Sequence, residues 1–577
     1  MLKSLGSAWR VAASMVFLTA AGYAVEPGLV GHWSLRGDCR DSSGSGNDGI
    51  NHGVNLATGE FDGRGAYIEV PHSPSLELGG EFSVSAWIRT EDHLTDIPGD
   101  LVTKFEPFHR QGFSLSLVGN TSGYNGPGNM RQLFFGVDHA TRGEWTDCGR
   151  PTPHSHSSDA ATVFNGDLYV GTIDAADERN WAHVYRYRGG QEWEDVGRLG
   201  TRRTRGVYAM VVHDGALYAS TTSSHNRQSP DMEFGRVYRY RGGQDWEEIG
   251  QPGDVHHLSG LASFNGKLYS TAYTEDAPGH IYEYAGAAQW RDCGSFDGMP
   301  HSLGLHDGRL YTAFPKGEVF AYAGAGTDWE HLGNPFGEYA ICKQIHALGV
   351  YRGELYAGCW PTGQIAVRRD GQWIDLGRLG DATEVVGIAV YNGSLYGGTI
   401  PRAEICRFDG PEQWMSIRRL FDPPGFEPTP VGARDGTFIQ DWTRASSLNV
   451  YQGRMFVTTA TCYRRLIEPE LPPDDIRGKV FAFSTGAAVS HDHDLGAGWK
   501  HVTAVRNGTR MTLYVDGQPV AATTSNRDSI DASTEVPLQI GFGPQSHFHG
   551  AMRDVRLYNR ALSDDEILAQ HTRDRAE

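Results

Sequence analysis

Long apolar runs are almost absent from this 577-residue chain. The one near the N-terminus, residues 11–21, is too short to cross a bilayer, and no later segment is long enough, so the sequence predicts no membrane insertion. Basic residues are also in deficit, 51 Lys and Arg against 70 Asp and Glu, a formal charge of −19. That balance argues against nucleic acid, which requires a concentrated basic surface. Cysteines number seven, so at least one stays unpaired or bonds between chains. No helical periodicity competes with the strand patterns between residues 150 and 480.

The short apolar run has another reading. Lys3 and Arg10 precede it, and Gly22-Tyr23-Ala24 places small residues before a cut after Ala24. This pattern predicts a signal peptide over residues 1–24 and a secreted, periplasmic or extracellular protein. No cysteine stands at the cut to take a lipid.

What the chain has in abundance is one repeated phrase, a glycine, then a variable residue, then an aliphatic and an aromatic one. The copies are Gly166-Asp-Leu-Tyr169, Gly215-Ala-Leu-Tyr218, Gly266-Lys-Leu-Tyr269, Gly308-Arg-Leu-Tyr311, Gly353-Glu-Leu-Tyr356, Gly393-Ser-Leu-Tyr396 and Gly453-Arg-Met-Phe456. Such spacing marks a propeller or a solenoid. Each copy sits among four strand-like segments, the last carrying a tryptophan at Trp193, Trp246, Trp290, Trp329, Trp373 or Trp414. Four strands per unit predict a seven-bladed β-propeller over 140–485. The last unit lacks its tryptophan strand, and residues 144–149, with Trp145, are expected to close it. The type is loosely kelch-like, because the diglycines Gly189-Gly190 and Gly242-Gly243 follow the third strand of a unit, not the second.

The flanks carry a different set of phrases. Gly31-His-Trp-Ser34, Phe61-Asp-Gly63, Tyr67-Ile-Glu-Val-Pro71 and Phe82-Ser-Val-Ser-Ala-Trp-Ile88 come first; Gly498-Trp-Lys-His-Val502, Leu513-Tyr-Val-Asp-Gly517 and Gly550-Ala-Met-Arg-Asp-Val-Arg-Leu-Tyr558 come last. Together they resemble a laminin G-like, concanavalin A-like jelly roll, split into 27–139 and 486–577. The expected fold is therefore all-β, a concanavalin A-like sandwich with the propeller inserted into it. The resemblance makes Trp33, Trp87 and Trp499 core residues, and carbohydrate the expected ligand.

Propeller chemistry collects where loops meet the central channel. Counting back ten or nine residues from the repeat glycines gives His156, Arg205, His256, His257, Lys343, Glu384 and Arg444, and seven back gives His301 and His346. Equal offsets imply similar heights around one axis, so these side chains form a candidate anion or glycan site. An alternative is a polysaccharide-degrading enzyme, a uronate lyase or a glycoside hydrolase. For the lyase, His256 or His301 would act as base, Tyr463 or Tyr273 as acid, and Arg205 or Arg464 as the neutraliser of a carboxylate. A second alternative is an extracellular protein-interaction scaffold, since either fold supports many functions. No Ser-x-Asp-x-Gly-x-Thr-Trp motif is present, which argues against a sialidase.

Other signals are smaller. Asp41, Asn47 and Asp48 supply oxygen ligands of the kind calcium prefers, and no other cofactor is expected. His491-Asp-His-Asp494 puts its two histidines on one face of a strand. Cys148, Cys293 and Cys406 replace aliphatic or aromatic residues of other repeats and are expected to be buried, whereas Cys342, Cys359 and Cys462 lie at strand ends or loops that could share one face, with Cys342 to Cys359 one of the bridges open to them. Sequons stand at Asn120, Asn392 and Asn507.

Overall fold

The computed structural model describes residues 26–93, 99–121, 127–174, 182–201, 204–222, 234–274, 277–314, 316–337, 342–411, 413–422, 443–461, 476–525 and 530–575. The expected signal peptide, Cys462, Tyr463 and Arg464 lie outside them. Among the described residues no helix is long and apolar enough to cross a membrane.

Strands from both ends of the chain build two seven-stranded antiparallel sheets. One runs Leu29–Trp33, His549–Tyr558, Glu81–Thr90, Gly498–Asn507, Arg510–Val515 and Gln518–Thr524, with Glu60–Asp62 beside His549–Tyr558. The other holds Ile50–His52, Tyr67–Val70, Leu538–Ile540, Gly99–Glu106, Gln111–Thr121, Pro127–His139 and Ala487–His491. Their facing sides share one apolar core, in which Trp33, Phe82, Val84, Phe113, Leu115, Phe135, Val502 and Leu513 alternate inward along their strands. Trp87 is buried as expected, though not between the two sheets, whereas Trp499 departs from the expected core role. Trp87 lies on the outer face against His571, and Trp499 is half-buried with the Arg89 and Arg553 guanidiniums 5.6 and 4.9 Å from its ring. That outer face is partly covered by a helix, Asp564–Arg575. Ser563 and Glu566 start the helix with a reciprocal capping box.

The middle of the chain forms a propeller arrangement. Five antiparallel sheets of four strands stand alone, at 206–248, 261–296, 303–331, 344–378 and 384–419. Seven separate blades were expected, so the count needs correction. The remaining eight strands form one sheet, because Ser155–Phe164 and Arg454–Thr461 approach closely enough to bridge at Ser157 and Ala460. In that sheet Glu144–Asp147 pairs with Val480–Ser484, Trp145 opposite Phe483. The first strands adjoin in a closed cycle, from Ser155–Phe164 through Gly206–His213 and onward to Thr443–Tyr451, which returns to Ser155–Phe164.

The tryptophans that mark the repeat fasten neighbouring units together. Indole N–H groups of Trp193, Trp246, Trp290, Trp329 and Trp373 donate to the carbonyls of Cys148, Val196, Ile249, Cys293 and Leu332 at 2.9–3.2 Å. Each acceptor stands three residues after the tryptophan of the preceding unit. Its side chain is apolar because it packs in the core shared by that unit and the next, while its carbonyl accepts from the next unit's indole. Cys148, Cys293 and Cys406 are indeed buried thiols.

The repeat glycines explain how the two halves meet. Asn165, Asp214, Asn265, Asp307 and Asn392 have φ between 43° and 53°, and the glycine after each is also positive, as tight hairpins require. Six of the seven repeat turns, those at Gly353 and Gly453 included, face the sandwich at close range: His493 lies over Gly166, His93 over Gly266, Arg64 over Gly308, His547 over Gly353, Phe105 over Gly393 and Ala488 over Gly453. Only Gly215 has open space above it. Hydrogen bonds join the same faces, from Gly166 N to Asp492 O at 2.8 Å, Arg352 N to Pro544 O at 3.0 Å, and Gln132 Nε2 to Val450 O at 3.1 Å. Asn392, a sequon residue, is buried here with its amide donating to Val137 O and Thr485 O. The strands Gln111–Thr121 and Pro127–His139 also touch first strands from several units of the ring. A hairpin that does so must approach the ring axis from the sandwich side.

Candidate functional site

With the turn face docked, the other end of the ring is where the first strands begin and the second strands end. There a run of polar side chains passes from unit to unit. Thr222 Oγ1 lies 2.6 Å from His257 Nδ1, and the His257 ring stacks on Tyr273 at 4.8 Å. Paired backbone hydrogen bonds of 3.0 Å fix His257 and Tyr273 opposite each other. Tyr273 meets His301 edge-on at 5.7 Å, and His301 lies 4.6 Å from the His346 ring. His346 then contacts Glu384 through Nδ1 and Gln344 Oε1 through Nε2 at 2.6 Å. Beyond Glu384, Arg444 pairs with Asp159 at 3.0 Å, and Ser446 Oγ donates to the same carboxylate.

Burial shapes the charge of this run. His257, Tyr273, His346, Glu384, Arg444 and Asp159 are all buried. Burial pushes the Glu384 carboxyl up, but the His346 imidazole, in contact with it, and the Arg444 guanidinium outweigh that effect and hold it below its usual range. The result is an ordered alternation of acid and base along one wall, Asp159, Arg444, Glu384 and His346.

Two more of the expected residues line the rim. His256 is half-buried, its ring 5.0 Å from Phe234, which is itself exposed. Lys343 is exposed and its ammonium lies 5.5 Å over the Trp360 ring. The disulfide Cys342–Cys359 joins the residues immediately before Lys343 and Trp360, tying that pair to its strands. His156 and Arg205 are buried at the starts of their own units, Arg205 N donating to Thr222 O at 2.8 Å.

The sequence reading missed Asp159 and Gln344. The signal for Asp159 was present: it stands seven residues before Gly166, the same offset that brought His301 and His346 forward. Other residues at that offset are Tyr208 and Val386, which cluster with Ile173 and Ile400 and give the ring an apolar sector. Gln344 carries no ionisable group and drew no notice.

The candidate calcium residues are otherwise engaged. Asp41 accepts hydrogen bonds from the amides of His32, Ser43 and Asn47, Asp48 accepts one from Asp41 N, and the Asn47 carbonyl accepts Ser73 Oγ. These are turn contacts that shape the loop. Among the described residues no three His, Cys, Asp or Glu side chains gather as a metal site. His491 and His493 do share a face, their rings stacked at 5.0 Å.

Comparison with known proteins adds one family likeness. Residues 440–568 match the model of the concanavalin A-like lectin/glucanases superfamily. No curated protein matches the chain. Among solved structures, YCF48 from Cyanidioschyzon merolae is 11% identical with a TM-score of 0.38, covering 59% of this chain and 98% of its own. The WD40 beta propeller domain of Doa1 is 10% identical with a TM-score of 0.37, covering 59% and 97%. A nidogen/laminin complex is 13% identical with a TM-score of 0.28, covering 51% and 92%. Likenesses this distant carry no argument about ligand or activity.

Proposed function

We propose that this chain is a secreted, lectin-like recognition protein that binds a glycan at the undocked end of its ring. Residues 1–24 act as its signal peptide. Residues 27–139 and 486–577 form one laminin G-like sandwich that carries 140–485 as an insert, with the eight-stranded sheet counting as two blades of a seven-bladed ring. The observation that carries the reading is the run from Thr222 to Asp159, flanked at the rim by Phe234 beside His256 and Trp360 beside Lys343. Sugar recognition uses this combination of aromatic faces, cations and paired hydrogen-bond groups.

The docked sandwich favours the same end, since six of the seven turns at the opposite end already face protein. The superfamily likeness of 440–568 is compatible with carbohydrate binding. The test is retention of the purified chain on immobilised neutral, uronic and sulfated polysaccharides, with ultraviolet absorbance recording unsaturated products. Retention without new absorbance, reduced by Trp360→Ala and Lys343→Gln, is the expected outcome. New absorbance that disappears in His301→Ala would make the protein a lyase, and no retention on any polysaccharide would sink the glycan reading.

A further inference from the structure

In the run His491-Asp-His-Asp494 the two aspartates are fastened and the two histidines are not. The run begins at the end of the strand Ala487–His491, where the sandwich meets the first turn of the ring. The Asp492 carboxylate accepts the Gln452 amide at 2.9 Å and the Ser490 hydroxyl at 2.6 Å, with the Gln132 amide also donating to it. Asp494 is gripped by Arg131, whose Nε and Nη2 donate to its two oxygens at 2.9 Å each. The backbone is held as well, with Gly166 N donating to Asp492 O at 2.8 Å and Leu495 N to Arg131 O at 3.0 Å. His493 thus stands between two anchored residues, and His491 between the bonded Ser490 and Asp492.

The two imidazoles lie against each other. Their ring centroids are 5.0 Å apart and their planes 21° from parallel. His491 is half-buried, and His493 is exposed beside Gly166. Neither ring has a hydrogen-bond or ion-pair partner among the described residues.

Two unpartnered imidazoles side by side offer two nitrogen donors to one ion. Metal-to-nitrogen bonds of about 2.0–2.1 Å, with about 1 Å more from nitrogen to ring centre, put two ring centres about 5 Å apart on a tetrahedral ion. The observed separation already matches, and the anchored backbone reduces the ordering cost of binding. Imidazole suits copper, nickel and zinc, whereas calcium and magnesium demand oxygen. We propose that His491 and His493 chelate one divalent transition ion, copper more tightly than zinc. The aspartates, engaged elsewhere, stay out of the coordination shell, and water completes it.

The test is calorimetric titration of the full chain, stripped by a chelator, with Zn2+ and with Cu2+, together with electron paramagnetic resonance at one equivalent of Cu2+. The chain has 24 histidines, so the reading is the difference between parent and variants. The parent should show a site with Kd below about 100 µM, and its copper spectrum should show coupling to two nitrogens. His491→Gln and His493→Gln should each lose one of those nitrogens and weaken the site at least about tenfold, the loss that outer-shell substitutions alone cause. His109→Gln, at an exposed histidine elsewhere in the sandwich, should change nothing. Because His493 is exposed, its variant is expected to fold like the parent, and it decides the test if His491→Gln does not fold. Equal titrations of parent and variants, a copper spectrum untouched by the substitutions, or displacement of the ion by excess calcium would each overturn the proposal.

Discussion

Placing an alanine at Gly453 and at Gly215 should separate the cost of the turn from the cost of docking. Both glycines have φ of +67°, so an alanine at either pays the same left-handed backbone penalty of about 1 kcal/mol. Their surroundings differ. The added methyl at Gly215 meets nothing within 4 Å, whereas at Gly453 it lies 2.2 Å from Ala488 O and 2.6 Å from Ala488 C. Those are backbone atoms in a paired strand of the sandwich and cannot rotate away. Overpacking of this kind adds about 1–3 kcal/mol, so Gly453→Ala should lose about 2 kcal/mol more than Gly215→Ala. The assay is urea unfolding of both variants and the parent, comparing midpoints at a common slope. Equal destabilisation would refute the docking of the ring through its hairpin turns.

Three further outcomes follow from local chemistry. Burial pushes the Asp100 carboxyl up to about 7, against hydrogen bonds from Ser116 Oγ and from the amides of Gln545 and Ser546. The proton it holds when folded adds stability that is complete below the carboxyl's ordinary pKa near 4 and is lost as pH rises through 7. An asparagine keeps the three hydrogen bonds without the charge, so Asp100→Asn should gain on the parent between pH 4 and 8, by about 4 kcal/mol at most for a shift of about three units; a constant difference across that range in thermal unfolding would contradict this. Trp290→Phe removes the bond to Ile249 O and should cost about 1 kcal/mol. Trp414→Phe should cost less, since its buried indole N–H has no acceptor among the described residues, and equal losses in chemical denaturation would count against the inter-unit bonds. Replacing Cys342 and Cys359 by serine removes a crosslink spanning 17 residues. It should lower stability by about 3 kcal/mol and weaken glycan retention, and unchanged retention would separate the disulfide from the site.

The parts of the fold visible in the sequence were those with a local chemical cause. The turn glycines are fixed by their backbone angles, and the tryptophans by a donor that must reach the next unit, so both recur at fixed offsets. The merger of two four-stranded groups into one sheet had no such mark, because a single bridge between Ser157 and Ala460 depends on how closely two distant segments settle. The helix 564–575 is mostly polar, with only Ile567, Gln570 and Asp574 buried, and gives little periodic signal. At the site, repeat offsets found His257, His301, His346, Glu384 and Arg444. Their order around the wall, and the place of Asp159 and Gln344 within it, depends on which neighbouring units touch. The Asn392 sequon shows the opposite limit: the motif is complete, but the turn that carries it is buried against the sandwich.

A glycan bound at the undocked end of the ring would shield the backbone there from solvent. Hydrogen–deuterium exchange of the whole chain, with and without a polysaccharide that retains it, tests this directly. Protection at residues 256–261, 343–346 and 384–387, with the hairpin turns unchanged, is the predicted result. Protection confined to the sandwich strands would contradict it and move recognition away from the ring.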